Sequence, residues 1–169
     1  MRAGFALATL LAATAGAASA ETQKSFSIAA VIATGCAVTT NGAGNWGDIS
    51  LGTVGGLTMG TIQADLLSGV AAGIQLNCTP GTTVNITADN GNNAVAGVRQ
   101  LVHASNATSL IPYLLYANGS ASAWTTQAIP LSFAVGTSQQ IFPVRAKATL
   151  SAPTRAGAYS DTVRVTVSW

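Results

Sequence analysis

Valine occupies every second position near the end of the chain, at Val163, Val165 and Val167, and Trp169 continues the series. Thr162, Arg164, Thr166 and Ser168 stand between them. A period of two, with β-branched and aromatic residues on one side and polar residues on the other, is the pattern of a strand with one buried face. A helix would scatter these side chains around its circumference. The same period recurs over residues 82–88, where Val84, Ile86 and Ala88 are the apolar set. Residues 73–78, 98–104, 110–117 and 139–150 are further strand candidates, and Asn41-Gly42, Asp89-Asn90-Gly91 and Asn118-Gly119 read as turns. Pro143 cannot donate to a ladder, so an edge or a bulge is expected where it interrupts 139–150. Residues 66–76 have the composition of a short helix, but Gly69, Gly73 and Ile74-Gln75-Leu76 oppose one. Many short strands punctuated by turns, without an internal repeat, predict one antiparallel sandwich or barrel.

The first twenty residues read as an address. Arg2 supplies a positive start, residues 4–16 form an uncharged run rich in Ala and Leu, and Ala18-Ser19-Ala20 presents small residues for a signal peptidase. Cleavage is expected before Glu21. Export bears directly on the two cysteines, Cys36 and Cys78. Redox catalysis or metal binding would call for a C-x-x-C spacing or further ligands, and His103 is the one histidine. In an oxidising compartment an even count predicts a structural disulfide, which would constrain the unfolded chain by about 4 kcal/mol.

Seven basic and five acidic residues make only 7% of the chain charged, too few and too dispersed for a nucleic-acid surface. Thr, Ser, Asn and Gly must supply the polar exterior, which suits packing against further copies. Catalysis has little to work with. Glu21, Asp48, Asp65, Asp89 and Asp161 are the acids. Asp48, Asp89 and Asp161 each adjoin turn residues, where Asp commonly bonds its own backbone. His103 has no acid nearby in sequence and reads as a surface or strand histidine. Residues 52–60 are glycine-rich but lack the lysine and spacing of a phosphate loop, and read as a flexible connection. Trp46, Trp124 and Trp169 are scattered and suit a core better than a sugar platform. No catalytic residue, metal site or cofactor is expected, so an enzyme is disfavoured.

Residues 21–35 precede the first cysteine and carry Phe26, Ile28, Ala30 and Ile32, alternating with Ser27, Ala29 and Val31. One face of this leader is strongly apolar, a liability if left exposed. It reads either as the first strand of the chain's own sandwich or as a strand given to another molecule. Periodicity does not choose.

Four segments, in order, carry a family resemblance. They are Thr34-Gly35-Cys36-Ala37-Val38, Leu76-Asn77-Cys78-Thr79-Pro80-Gly81, Ile111-Pro112-Tyr113-Leu114-Leu115-Tyr116 followed by Trp124, and Gly157-Ala158-Tyr159-Ser160-Asp161-Thr162-Val163 running to Trp169. The last is similar to a G-x-Y-x-D-x-V strand motif. Together they resemble the spore coat protein U domain family, which builds archaic (Csu-type) chaperone–usher pili, over essentially the whole exported chain. Trp46-Gly47 stands where members often show an aromatic–Gly pair, and the loop 52–60 is unusually rich in glycine.

The resemblance implies an all-β fold: an incomplete immunoglobulin-like antiparallel β-sandwich lacking its last strand, completed by a donor strand from another subunit. The last candidate strand runs to the final residue, so no seventh strand is expected from the chain itself. On this reading 1–20 is the signal peptide, 21–33 the donor segment with Phe26, Ile28, Ala30 and Ile32 buried on donation, and 34–169 the sandwich domain. Tyr159, Val163, Val165, Val167 and Trp169 would line the acceptor groove. The implied partners are a periplasmic chaperone, an outer-membrane usher and neighbouring pilin subunits, with no nucleic acid. The implied function is a structural subunit of a cell-surface pilus (fimbrium), secreted through the periplasm, polymerising by donor-strand exchange and supporting adhesion and biofilm formation. A secreted coat protein of the same fold and a surface- or glycan-binding adhesin subunit are the alternatives.

Overall fold

The computed structural model describes residues 24–40, 44–68, 71–151 and 153–169. The signal peptide read over 1–20, its cleavage before Glu21 and the Asn41-Gly42 turn lie outside the described residues. The chain divides into two units, Met1–Val31 and Ile32–Trp169. In the first, residues 24–31 lie in no strand and are exposed.

All regular structure in the described residues is β. In chain order the strands are β1 Cys36–Val38, β2 Gly60–Asp65, β3 Leu67–Ser68, β4 Ala71–Ala72, β5 Ile74–Cys78, β6 Thr83–Ala88 and β7 Gln100–His103. They continue with β8 Asn106–Ala117, β9 Ile129–Ser132, β10 Gln139–Phe142, β11 Val144–Leu150, β12 Tyr159–Ser160 and β13 Val165–Ser168. One layer is the five-stranded sheet β12-β7-β8-β11-β2. The other is built from β1-β5-β10 and β13-β6-β9, and β3-β4 forms a small hairpin. Every pairing is antiparallel. The result is an immunoglobulin-like sandwich.

Alternation puts one face of each long strand into a common core. Ile74, Leu76 and Cys78 on β5, Val84, Ile86 and Ala88 on β6, and Ile111, Tyr113, Leu115 and Ala117 on β8 are buried. Val144, Ala146, Ala148 and Leu150 on β11 complete the set, with Phe133, Phe142 and Trp124 filling the centre. Trp124 meets Phe142 edge-on at 5.5 Å, the geometry favoured by the ring quadrupoles. Trp46 packs partly against the core and Trp169 stays exposed, so one of the three tryptophans fills it outright.

Prolines mark where strands change sheet or lose a neighbour. Pro143 separates β10, which pairs with β5, from β11, which pairs with β8 and β2. Its missing N–H falls at the crossing between layers, while its carbonyl accepts from Asn118 N at 2.9 Å. Pro112 stands in β8 one residue past the last β11 pair, Ala148↔Tyr113. Pro130 lies in β9, which pairs with β6 alone.

Expectation and structure differ in several places. The 163–169 strand shortens to β13, the 98–104 strand to β7, and β8 begins four residues before Leu110. β2 and β9, which alternate in exposure with Ile62 and Ala64, and Ile129 and Leu131, turned inward, are not among the expected strands. Residues 67–68, 71–72 and 74–76, by contrast, agree with expectation: they lie in β3, β4 and the start of β5 rather than in a helix. The glycine-rich stretch 52–60 is a tethered loop rather than a free connection. A turn closes from Thr58 N to Gly55 O at 2.9 Å, and Gly56 O accepts from Thr154 N at 2.8 Å.

Candidate assembly interface

β5 and β6 act as one bent strand. Thr82 N bonds Thr79 O at 3.1 Å across the bend, and the β9–β6 ladder carries on through Phe133 N→Thr82 O, Gly81 N→Phe133 O and Cys78 N→Ser138 O into β10–β5. One edge of the bent strand is thereby filled. The other edge carries β1 beside β5 and β13 beside β6. Cys36 faces Cys78 in the register, and the two are disulfide-bonded, with Cα atoms 4.1 Å apart. Just beyond, Thr79 N donates to Gly35 O at 2.9 Å and Gly35 N to Thr79 Oγ1 at 3.1 Å.

β13 pairs with β6 through Val165↔Ala88 to Ser168↔Asn85 and, among the described residues, with nothing on its outer side. Its inward side chains show the consequence. Val84 and Ile86 on the central strand are 0% exposed, whereas Val163, Val165 and Val167 are only half-buried, packed against the core on one flank. Cys36 and Val38 on β1 are half-buried too. An edge with open N–H and C=O groups beside partly wetted valines is a surface on which an extended segment can add a strand. The leader residues have the converse property. Phe26, Ile28 and Ile32 are 81%, 86% and 84% exposed, and Ala30 is exposed as well.

A partly buried polar cluster fixes the entry to β13. Asp161 accepts from Asn92 N at 3.0 Å, Asn93 N at 3.2 Å, Asn93 Nδ2 at 3.0 Å and the Tyr113 hydroxyl at 2.7 Å. Burial first, and then the bond to Asp161, pushes the Tyr113 phenol far above its ordinary value. Asp89 Oδ1 accepts from Gly91 N and Arg164 N, both at 2.9 Å, while Asp89 N donates to Arg164 O. Beneath them Arg99 is buried, its guanidinium capping the carbonyls of Asp89, Trp124 and Thr125. Desolvation lowers its pKa, though guanidinium stays charged in proteins. Two strand-free segments, 89–99 and 161–164, are thus stitched to β8.

The motif residues before β13 have structural roles. Tyr159 is half-buried, with its hydroxyl 2.7 Å from Ser109 Oγ and donating to Arg155 O at 3.0 Å. Its ring meets His103 edge-on at 5.0 Å. Ser105 N donates to His103 Nδ1 at 3.1 Å, so Nε2 bears the proton and donates to Ala156 O at 3.0 Å. His103 is buried, not on the surface. A Cβ on Gly157, at φ +145°, would run into the His103 ring. Asp89 does bond its own turn, but Asp161 reaches across to a different segment. Sequence spacing hides this because Asn92 and Asp161 are 69 residues apart. Arg99 escaped notice for the same reason. Among the described residues no cluster of His, Cys, Asp or Glu is placed to hold a metal ion.

An immunoglobulin-like sandwich with half-buried valines along the edge strand β13 gives the class of fold. The model of the Spore Coat Protein U domain matches residues 22–166, and the chain belongs to that family. Among solved structures it is similar to a chain of the CsuC–CsuE chaperone–tip adhesion subunit pre-assembly complex from archaic chaperone–usher Csu pili of Acinetobacter baumannii. That match has 18% identity and a TM-score of 0.52, and covers 82% of this chain and 40% of that one. A chain of a chaperone–tip adhesin complex in CFA/I fimbriae biogenesis is 18% identical, with a TM-score of 0.44 and coverage of 71% and 38%. The chain therefore spans about two fifths of the length of either. No curated protein matches it.

Proposed function

We propose that this protein is a structural subunit of a surface fibre of the chaperone–usher type, assembled by strand donation. The observation that carries the reading is the mismatch in burial over residues 163–167, at and just before β13. Val163, Val165 and Val167 are half-exposed beside a free ladder edge, while the leader presents Phe26, Ile28, Ala30 and Ile32 at the matching period of two. Residues 21–33 of one subunit would pair with the outer edge of β13 in the next. Alternate side chains would enter the space above the core, over a groove reaching towards Tyr159 at one end and Trp169 at the other. Burying Phe26, Ile28 and Ile32 would contribute about 5–9 kcal/mol before the cost of association. Each contact is head-to-tail and does not close, so repetition gives a filament.

Before assembly the same edge needs a substitute strand, which is the role of a periplasmic chaperone, with an outer-membrane usher completing export. Residues 1–20 are then the signal peptide and 34–169 the domain that is delivered. The fibre would reach the cell surface and support adhesion and biofilm formation. The test is the formation of SDS-resistant ladders on unboiled gels. The full chain should form them, and a chain lacking residues 21–31 should fold but remain monomeric. Electron microscopy of the product separates a thin pilus from a coat. Ladders formed equally well without the leader would end the proposal.

A further inference from the structure

We infer that the Cys36–Cys78 disulfide is a mechanical bypass: it hands tension from the leader directly to the strand that holds the acceptor edge. The inference rests on the strand-donation reading above and goes beyond it. In a fibre so built, tension enters each sandwich where its own leader joins it, at Gly35 and Cys36. It leaves through β13, whose outer edge holds the next leader. What lies between those two points decides which part of the fold must bear load.

The registers answer this. Cys36 is the first residue of β1, and its partner Cys78 is the last residue of β5. From Cys78 the chain runs through Thr79–Thr82 straight into β6, and β6 holds β13 through four register pairs, Val165↔Ala88 to Ser168↔Asn85. Leader root and acceptor edge therefore hang from the same edge of one bent strand. Through the disulfide the connection is covalent from Gly35 to Ala88, and only the β6–β13 ladder separates it from the neighbouring subunit. The five-stranded sheet β12-β7-β8-β11-β2 stays outside the path.

Without the bond the load falls elsewhere. The Thr79 N→Gly35 O and Gly35 N→Thr79 Oγ1 hydrogen bonds and the three β1–β5 register pairs would carry it. The pull would arrive at the end pair Cys36↔Cys78, so these contacts would open one at a time instead of sharing the force. Once β1 has peeled away, the Asp48↔Leu67 bridge, the Thr154 N→Gly56 O bond and the partly buried Trp46, Ile49 and Leu51 are the contacts left to yield among the described residues before β2 at Gly60. Residues 36–59 would then pay out, adding about 80 Å per subunit at full extension.

The test is force–extension measurement on single assembled fibres of the wild-type chain and of the Cys36→Ser/Cys78→Ser double variant. If the variant fails to fold, wild-type fibres are compared before and after reduction. The expected result is a new low-force step of about 80 Å per subunit in the variant or reduced fibre, absent from the oxidised one. Superimposable curves would overturn the bypass while leaving strand donation intact. If the wild-type chain forms no fibre at all, the strand-donation reading fails, and the bypass with it.

Discussion

Tyr113, on the core face of β8, donates its phenolic proton to Asp161 at 2.7 Å, joining the five-stranded sheet to the segment that enters β13. Asp161 belongs to the G-x-Y-x-D-x-V motif, so a stretch that reads in sequence as part of a strand is held by side-chain bonds instead. The start of β13 is ordered from outside its own ladder, because an edge strand with four register pairs has little else to fix where it begins.

That bond sets an alkaline limit on stability. The Tyr113 phenol is raised above its ordinary value, by burial first and by Asp161 second. The native state therefore keeps a proton that the unfolded chain loses above about pH 10. The unfolded chain then binds fewer protons, so stability falls as pH rises past that point, by about 1.4 kcal/mol per pH unit. Tyr113→Phe should lack this contribution to the slope and be about 1–3 kcal/mol less stable at neutral pH. Urea unfolding at pH 7, 9.5 and 11 checks it; equal alkaline slopes in both proteins would contradict the assignment.

Arg99 supports three backbone carbonyls in the interior. Arg99→Met should cost about 3 kcal/mol or more, since it leaves those acceptors buried and unpaired. Arg99→Lys should recover only part, because an ammonium cannot span the same fork. The check is the urea midpoint at unchanged slope, and a fully stable Met variant would show that the carbonyls find other donors.

Gly157→Ala should destabilise the fold by about 2–4 kcal/mol. It places a methyl group against the His103 ring and forces an L-residue to φ +145°. Loss of the upfield ring-current shift that the edge-on Tyr159–His103 pair produces, seen by NMR, would locate the damage. A thermal midpoint within a degree of wild type would refute it.

The two faces of the leader should respond differently to charge. Ile28→Asp and Ile32→Asp should abolish SDS-resistant ladders, since each would carry a carboxylate into an apolar groove without a partner. Ser27→Asp should leave ladders intact because its side chain points the other way. The three monomers should keep wild-type unfolding midpoints. A destabilised Ile28→Asp monomer would mean the leader belongs to its own sandwich.

Donor and acceptor should also be separable. Val165→Asp alters the edge strand, where the side chain is half-buried, and should block acceptance while leaving the leader able to donate. A chain without residues 21–31 should accept but not donate. Each alone should stay monomeric, and an equimolar mixture should give dimers and nothing longer. Longer ladders from the mixture would exclude a head-to-tail contact.

Much of this protein was legible in the sequence because strand periodicity is a local property. Val84–Ile86–Ala88 and Val163–Val165–Val167 announce buried faces wherever the partners lie, and Pro143 announces a break because its N–H is missing. The disulfide followed from compartment and count, not from geometry. Pairing is a different matter. Ile129–Ser132 and Gly60–Asp65 alternate over only a few residues, too short a run to announce a strand before its single neighbour is known. Alternation likewise could not tell that Val84 is sealed while Val165 is half-open; that depends on which strands stand beside each. Nor could it bring Asp161 to Asn92, or His103 to Ala156, because hydrogen bonds across such separations exist only once the sheets have packed. The sequence by itself determined which side chains face inward. Only the tertiary structure decided which edges were left without a neighbour, because that is settled by long-range pairing and not by any residue's own preference.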